Sequence, residues 1–375
     1  MTYTKDDVLR LAKRYNNPKR AYLLVDPLQA KHMAVSPTCA LEMMHALGRL
    51  LNEKYPTARL VIGFAETATA IAAAAAEELC GCRYIHTTRE DIPANGWLYF
   101  SEEHSHASEQ KICSDRLSEY AVDTDTIILI DDEISTGKTL INIVERLRTI
   151  KGFEGKRIVA ASVISRVSDE NLARLSAAGI ISECLLKLPE EDYTAAVEKY
   201  DVHGAQAVAA DEYAPKNCFG IQLYDPRIGV DMAEYARDCL DKAKTIADNA
   251  EALLPKGGRL LVLGTEECMY PALILGKVLE DSGRYSEVRS HSTTRSPIGI
   301  CSDADYPITE GHRIHSFYDE NRETFIYNIG GYDAALVLTD GVDFEADSNN
   351  AAARDIAAIL KTHNCKNVIF VGRCS

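Results

Sequence analysis

Short apolar runs recur along this chain, and each gives way to a stretch with helical periodicity. Arg20 to Asp26, around A-Y-L-L-V, reads as a strand ended by Asp26-Pro27. Arg59 to Gly63, Arg83 to Ile85, Ile127 to Ile130, Arg157 to Ser165 and Ile180 to Leu186 read as further strands. Helical patterns lie between them. Pro37 to Tyr55 has Ser36 as N-cap and Pro37 at the first helical position; the Ala-rich Ile71 to Leu79, Leu140 to Leu147 and Asp169 to Ala178 follow. Residues 1–18 are charged and weakly periodic and predict an amphipathic helix. Glu90 to Arg116 is a long polar segment, which predicts a functional loop. Strands alternating with helices predict a doubly wound parallel sheet, whose ligands bind beyond the C-terminal strand ends.

The pattern then recurs. F-G-I-Q-L-Y-D-P (219–226) echoes A-Y-L-L-V-D-P, and R-L-L-V-L-G-T-E-E (259–267) echoes R-L-V-I-G-F-A-E. H-S-T-T-R (291–295) echoes I-H-T-T-R, A-A-L-V-L-T-D (334–340) echoes T-I-I-L-I-D-D, and N-V-I-F-V-G-R (367–373) echoes the 157–166 stretch. Landmarks in one order at nearly one spacing argue for a duplicated unit. The expected α/β architecture is two doubly wound parallel-sheet domains, residues 1–190 and 217–375, the second a degenerate repeat of the first, with 191–216 as linker or hood. Thr339 stands in the second copy where the first has Asp131, and Asp343-Phe344-Glu345 replaces a turn of small residues. Added carboxylates repel a phosphate there, so the repeat is expected to have lost the anion chemistry of the first copy.

Composition narrows the class. The 375 residues carry a net charge of −15, which disfavours broad nucleic-acid binding. Eleven cysteines without a C-x-x-C read as free thiols in a reducing, cytoplasmic setting. No run is long enough to span a bilayer, and no N-terminal pattern reads as a signal peptide, so no membrane partner is expected.

The candidate chemistry centres on T-I-I-L-I-D-D-E-I-S-T-G-K-T (126–139). A buried strand ends in two carboxylates, Asp131 and Asp132. The turn Ser135-Thr136-Gly137-Lys138-Thr139 then opens a helix. Loop N–H groups, hydroxyls and a helix N-terminus suit a phosphate, and the acidic pair suits two vicinal hydroxyls. Residues 127–139 resemble the phosphoribosyl pyrophosphate (PRPP) signature of type I phosphoribosyltransferases, departing at Glu133, where that family usually has an aliphatic residue. The resemblance implies that Asp131 and Asp132 hold the ribose hydroxyls and, through water, Mg²⁺, the expected cofactor. It implies that residues 135–139 cradle the 5-phosphate and that Phe64, Ala65, Glu66 and Thr67 form a pyrophosphate loop. Glu66 has two readings: a carboxylate working with Mg²⁺ or a cationic substrate, or an acid at a helix N-terminus.

Lys31, Arg89 and Arg295 are further candidate anion contacts; a structural Arg at a strand end is the alternative for Arg295. In type I enzymes a loop closes over the site at the position of Glu90–Arg116. There Glu103, His104 and His106 are the candidate acid–base residues, with a solvated loop or a His-x-His metal site as alternatives. With T-R-S-P (294–297) added, the chain resembles the two-domain phosphoribosyltransferase of bacterial tellurite-resistance (Ter) stress operons, whose C-terminal part is the TRSP domain. This implies a PRPP-dependent transferase acting on an unidentified small-molecule acceptor to make a nucleoside-like or nucleotide-like metabolite. A homodimer and operon-encoded protein partners are further expectations. The rival reading is a non-catalytic PRPP or nucleotide sensor.

Overall fold

The computed structural model describes residues 3–17, 20–100, 110–208, 217–347 and 349–374. The chain forms two compact units, each discontinuous in sequence. The first comprises residues 1–3, 42–191 and 224–237, and the second residues 4–41, 192–223 and 238–375. Contacts therefore interleave the chain where the sequence suggested contiguous blocks, 1–190 and 217–375.

The first unit is built on a six-stranded sheet in the order Val230–Asp231, Arg83–His86, Leu60–Gly63, Thr126–Ile134, Arg157–Ser165, Ile180–Lys187. The last five run parallel, and Val230–Asp231 adds an antiparallel edge on Arg83–His86. Ile127, Ile128, Leu129 and Ile130 are fully buried, as expected of a central strand covered on both faces. The strand runs on through the acidic pair to Ile134, because residues 131–134 continue in register with 162–165. Of the Ala68–Glu77 helix, nine residues are buried, most of them alanine, which lets it approach the sheet closely. A Cβ on Gly63 would lie 2.7 Å from that of Ala72, so the strand end needs glycine. The Lys138–Leu147 helix buries Leu140, Ile143, Val144 and Leu147, one stripe at helical spacing. Ser168 caps the Asp169–Ala177 helix by accepting from the Asn171 N–H at 3.2 Å. The chain leaves Leu60–Gly63 toward Arg83–His86 on one side and returns at Thr126–Ile134 on the other. The two central strands therefore flank a topological switch point.

The second unit carries a five-stranded parallel sheet in the order Asn217–Ile221, Asn367–Arg373, Ala334–Leu338, Arg259–Gly264, Glu287–Ser292. Its four strands that echo the first half in sequence occupy the same neighbouring places as their counterparts. The 219–226 echo departs: Asn217–Ile221 is a sheet edge, whereas Tyr22–Val25 pairs with Arg10–Lys13 in a separate two-stranded sheet.

Two other expectations are corrected. In place of the helix expected over 1–18, the described residues 3–17 hold one helical turn, Lys5–Val8, and then the Arg10–Lys13 strand. Ala12 and Val25 are buried with Val197, Ile298 and Ile300, so packing overrides the weak helical pattern. The polar segment Glu90–Arg116 contains an antiparallel pair, Trp97–Phe100 with Gln110–Cys113. Residues 191–216 hold the Thr194–Glu198 helix and the Gln206–Ala207 strand, which pairs with Gly311–His315 of the same unit. Among the described residues, no helix is long and apolar enough to cross a membrane.

Candidate active site

Three adjacent parallel strands of the first unit deliver the candidate residues to one end of the sheet. Leu60–Gly63 runs into Phe64, Ala65, Glu66 and Thr67; Arg83–His86 leads to Thr87, Thr88 and Arg89; and Thr126–Ile134 leads to Ser135–Thr139. The 64–67 loop is fixed from two directions. The Ala65 N–H donates to Thr87 Oγ1 at 2.8 Å, and Gln110 Nε2 donates to the Ala65 carbonyl at 2.9 Å. Thr87 Oγ1 in turn donates to Gln110 Oε1 at 2.5 Å. The Ala65–Glu66 peptide is cis. Glu66 is buried one residue ahead of Thr67, the N-cap of the Ala68–Glu77 helix, and its carbonyl accepts from Thr69 Oγ1 at 3.1 Å.

Asp131 and Asp132 are half-buried at the strand end, and the Asp132 N–H donates to Asp131 Oδ1 at 2.9 Å. Glu133, the departure from the motif, faces Arg166: its Oε1 accepts from Nε at 2.8 Å and lies 2.7 Å from Nη2. That pairing with the neighbouring strand accounts for the acid as structural. Gly137 is the N-cap of the Lys138–Leu147 helix with φ of 73°, a left-handed conformation that suits glycine, and Lys138 is exposed. Ser135, Thr136 and Thr139 are half-buried around this turn. Arg89 is half-buried just beyond its strand. Glu103, His104 and His106 lie outside the described residues. Two clefts of the first unit, of about 630 and 210 Å³, are lined by other side chains, among them Arg116 in the larger and Arg59 and Arg83 in the smaller.

Lys31 and Arg295 belong to the second unit. Lys31 is fully buried, and its Nζ donates to the Glu266 carbonyl at 3.4 Å. Arg295 Nε donates to Glu266 Oε2 at 3.1 Å, and Arg322 Nη2 to the same oxygen at 2.8 Å. Ser316 Oγ donates to Glu266 Oε1 at 2.6 Å. Both basic residues thus face an internal glutamate. The second unit repeats the locking bonds of the first: the Glu266 N–H donates to Thr293 Oγ1 at 2.9 Å, and the Thr293 N–H to the Gly264 carbonyl at 3.1 Å, as Thr87 N–H does to Gly63 at 2.9 Å. Asp343 Oδ1 accepts from the Glu345 and Ala346 N–H groups at 2.9 and 3.3 Å, filling its own turn.

Sequence reasoning missed Thr87 and Gln110 as loop locks, although the T-T-R pattern marked the first. It also missed the Glu266 cluster, whose parts are far apart in sequence.

The parallel α/β sheet, the Asp-Asp pair on its central strand and the Gly137 turn at a helix N-terminus all lie within one segment that matches a phosphoribosyltransferase family. Residues 8–185 match the family described as phosphoribosyl transferase (PRTase_2), and residues 225–360 match the TRSP domain C-terminal to PRTase_2. Together the two matches describe a phosphoribosyltransferase domain followed by a TRSP domain. No curated protein matches the sequence. Solved structures similar to part of it include adenine phosphoribosyltransferase from Giardia lamblia complexed with 9-deazaadenine, with 14% identity over 48% of this chain and 93% of that one, at TM-score 0.39. The enzyme from Rhodothermus marinus has 15% identity over 49% and 96%, at 0.37. The Trypanosoma brucei enzyme, in complex with AMP, pyrophosphate and ribose-5-phosphate, has 15% over 50% and 82%, at 0.36.

Proposed function

We propose that the first unit transfers ribose 5-phosphate from PRPP to a nitrogen nucleophile of a nucleobase-like acceptor, or runs the reverse reaction. The observation that carries this reading is the half-buried Asp131–Asp132 pair followed by the Gly137 turn at a helix N-terminus. The two carboxylates accept hydrogen bonds from the ribose 2- and 3-hydroxyls. Residues 135–139 receive the 5-phosphate, which the helix dipole favours. The 64–67 loop, held rigid by Thr87 and Gln110, presents backbone to the pyrophosphate. In the forward direction the C1–O bond to pyrophosphate breaks, the acceptor nitrogen bonds to C1, and pyrophosphate leaves with the electron pair. Preorganised groups that need not reorient as charge develops supply the electrostatic stabilisation.

Asp131 and Asp132 offer hard oxygen donors, which fit Mg²⁺ held through water. Held by these two carboxylates, Mg²⁺ would supply positive charge to offset that of the pyrophosphate. Purine-salvage relatives often carry an acid at the position of Ser135, and a serine cannot take a base proton alone. That disfavours a hypoxanthine-type acceptor and leaves proton transfer to Glu103, His104 or His106. The second unit is read as a degenerate copy: shared strand order, repeated locking bonds, and carboxylates of Glu266 and Asp343 at its two anion positions support this. The likeness to Ter stress-operon enzymes supports a product of nucleoside or nucleotide type. A homodimer and operon-encoded partners belong to the same proposal.

The test is PRPP binding with Mg²⁺ by calorimetry, together with pyrophosphate release in the presence of candidate bases. Asp131→Asn with Asp132→Asn should abolish binding while circular dichroism stays unchanged; Asp340→Asn should leave binding intact. Equal loss from both would overturn the assignment of the two units. Tight binding without turnover under any acceptor would favour the sensor.

A further inference from the structure

The second unit brings two imidazoles and a carboxylate together away from its strand-end cluster. Glu310 stands just before the Gly311–His315 strand, and His312 follows two positions on, so both project from one face. His363 is the C-cap of the Ala351–Thr362 helix, its N–H donating to the carbonyls of Ile359 and Leu360 at 3.3 and 3.1 Å. Glu310 Oε1 lies 2.7 Å from His312 Nε2 and 2.5 Å from His363 Nε2. The three candidate ligand atoms lie within 4.8 Å of one another, on half-buried side chains.

We propose that Glu310, His312 and His363 bind a divalent transition-metal ion of the zinc class. The donor set is two imidazole nitrogens and one carboxylate oxygen, which suits zinc better than magnesium or calcium. Ligand atoms about 2.0–2.1 Å from one tetrahedral ion stand about 3.3 Å apart. The carboxylate–imidazole contacts need to open by under ~1 Å to admit it, a small adjustment of half-buried side chains. The Glu310 backbone is fixed, with its N–H donating to Asn328 Oδ1 at 3.3 Å and its carbonyl accepting from the Asn328 N–H at 3.1 Å. The anchors are therefore a strand start and a helix end, so the ion would clip one to the other. The fourth position is left to water.

The eleven cysteines and the His104/His106 segment offer rival ligands, so metal content alone does not decide. The full chain is loaded with Zn²⁺, dialysed and assayed by elemental analysis beside His312→Gln, His363→Gln and the double variant. Wild type should retain about one equivalent more than the double variant. Its unfolding midpoint should rise with Zn²⁺, as expected of a ligand that binds only the folded state, and that of the double variant should not. Cobalt(II) loading of wild type reads the ligands directly, whether or not the variants fold. Visible ligand-field bands without thiolate charge transfer support the site. Thiolate charge-transfer bands, no tetrahedral spectrum, or equal retention by wild type and a folded double variant overturn it.

Discussion

Ala65 and Glu266 hold the same place in the two units, one position past the residue that follows the strand-end glycine, and each donates its N–H to the matching threonine, Thr87 or Thr293. The backbone is shared and the chemistry differs. In the first unit the side chain is a methyl, which brings no charge to the loop. In the second it is a fully buried carboxylate bound to two arginines and a serine. None of this was legible from T-E-E alone, because the arginines arrive from other segments. His291 carries another residue-scale consequence. Burial lowers its pKa from 6.5 to about 4, while Nε2 donates to the Tyr327 carbonyl and Nδ1 accepts from the Ser292 N–H. Between these values the unfolded chain binds a proton that the folded chain refuses, so stability falls as pH drops from 6.5 towards 4. The full window is worth about 3 kcal/mol. Urea unfolding across it should give a shallower pH slope for His291→Gln than for wild type; parallel slopes would remove this role.

Elements with a strong local signature were readable. The Ile127–Ile130 strand, its acidic pair and the turn into Lys138–Leu147 followed from apolar run, small residues and helical spacing; the extension of the strand to Ile134 did not, because it rests on pairing with residues 162–165. The Trp97–Phe100 and Gln110–Cys113 strands were not readable. They are four residues each, set in polar sequence, and their pairing comes from each other and from the Gln110 bond to Ala65. The turn at Gly137 gives a test at this scale. A Cβ there would meet Leu175 Cδ2 at 2.8 Å in a backbone with φ of 73°. Gly137→Ala should cost about 1–3 kcal/mol in thermal or urea unfolding and weaken PRPP binding as the turn shifts. Unchanged stability and binding would mean the turn tolerates both strain and contact.

At the level of the whole molecule, the two parallel sheets were legible and their division of the chain was not. Periodicity reports which residues are buried, never which distant segment buries them. Residues 4–41 precede the first sheet in sequence yet belong to the second unit, and Tyr224–Arg237 returns an edge strand to the first. A fragment of residues 1–190 therefore lacks Val230–Asp231 and leaves Ala12 and Val25 without Ile298 and Ile300. It should unfold at lower urea than the full chain, or be cleaved within residues 4–41 under limited proteolysis. Equal resistance would show that the first 190 residues are self-sufficient.

The same interleaving sets an order on biosynthesis. The Arg10–Lys13 and Tyr22–Val25 strands leave the ribosome well before Ile298 and Ile300, with which Ala12 and Val25 are buried. At ordinary elongation rates that delay is on the order of tens of seconds. Throughout it Ala12 and Val25 wait for their seat, which makes these two strands the natural stretch for a chaperone to shield.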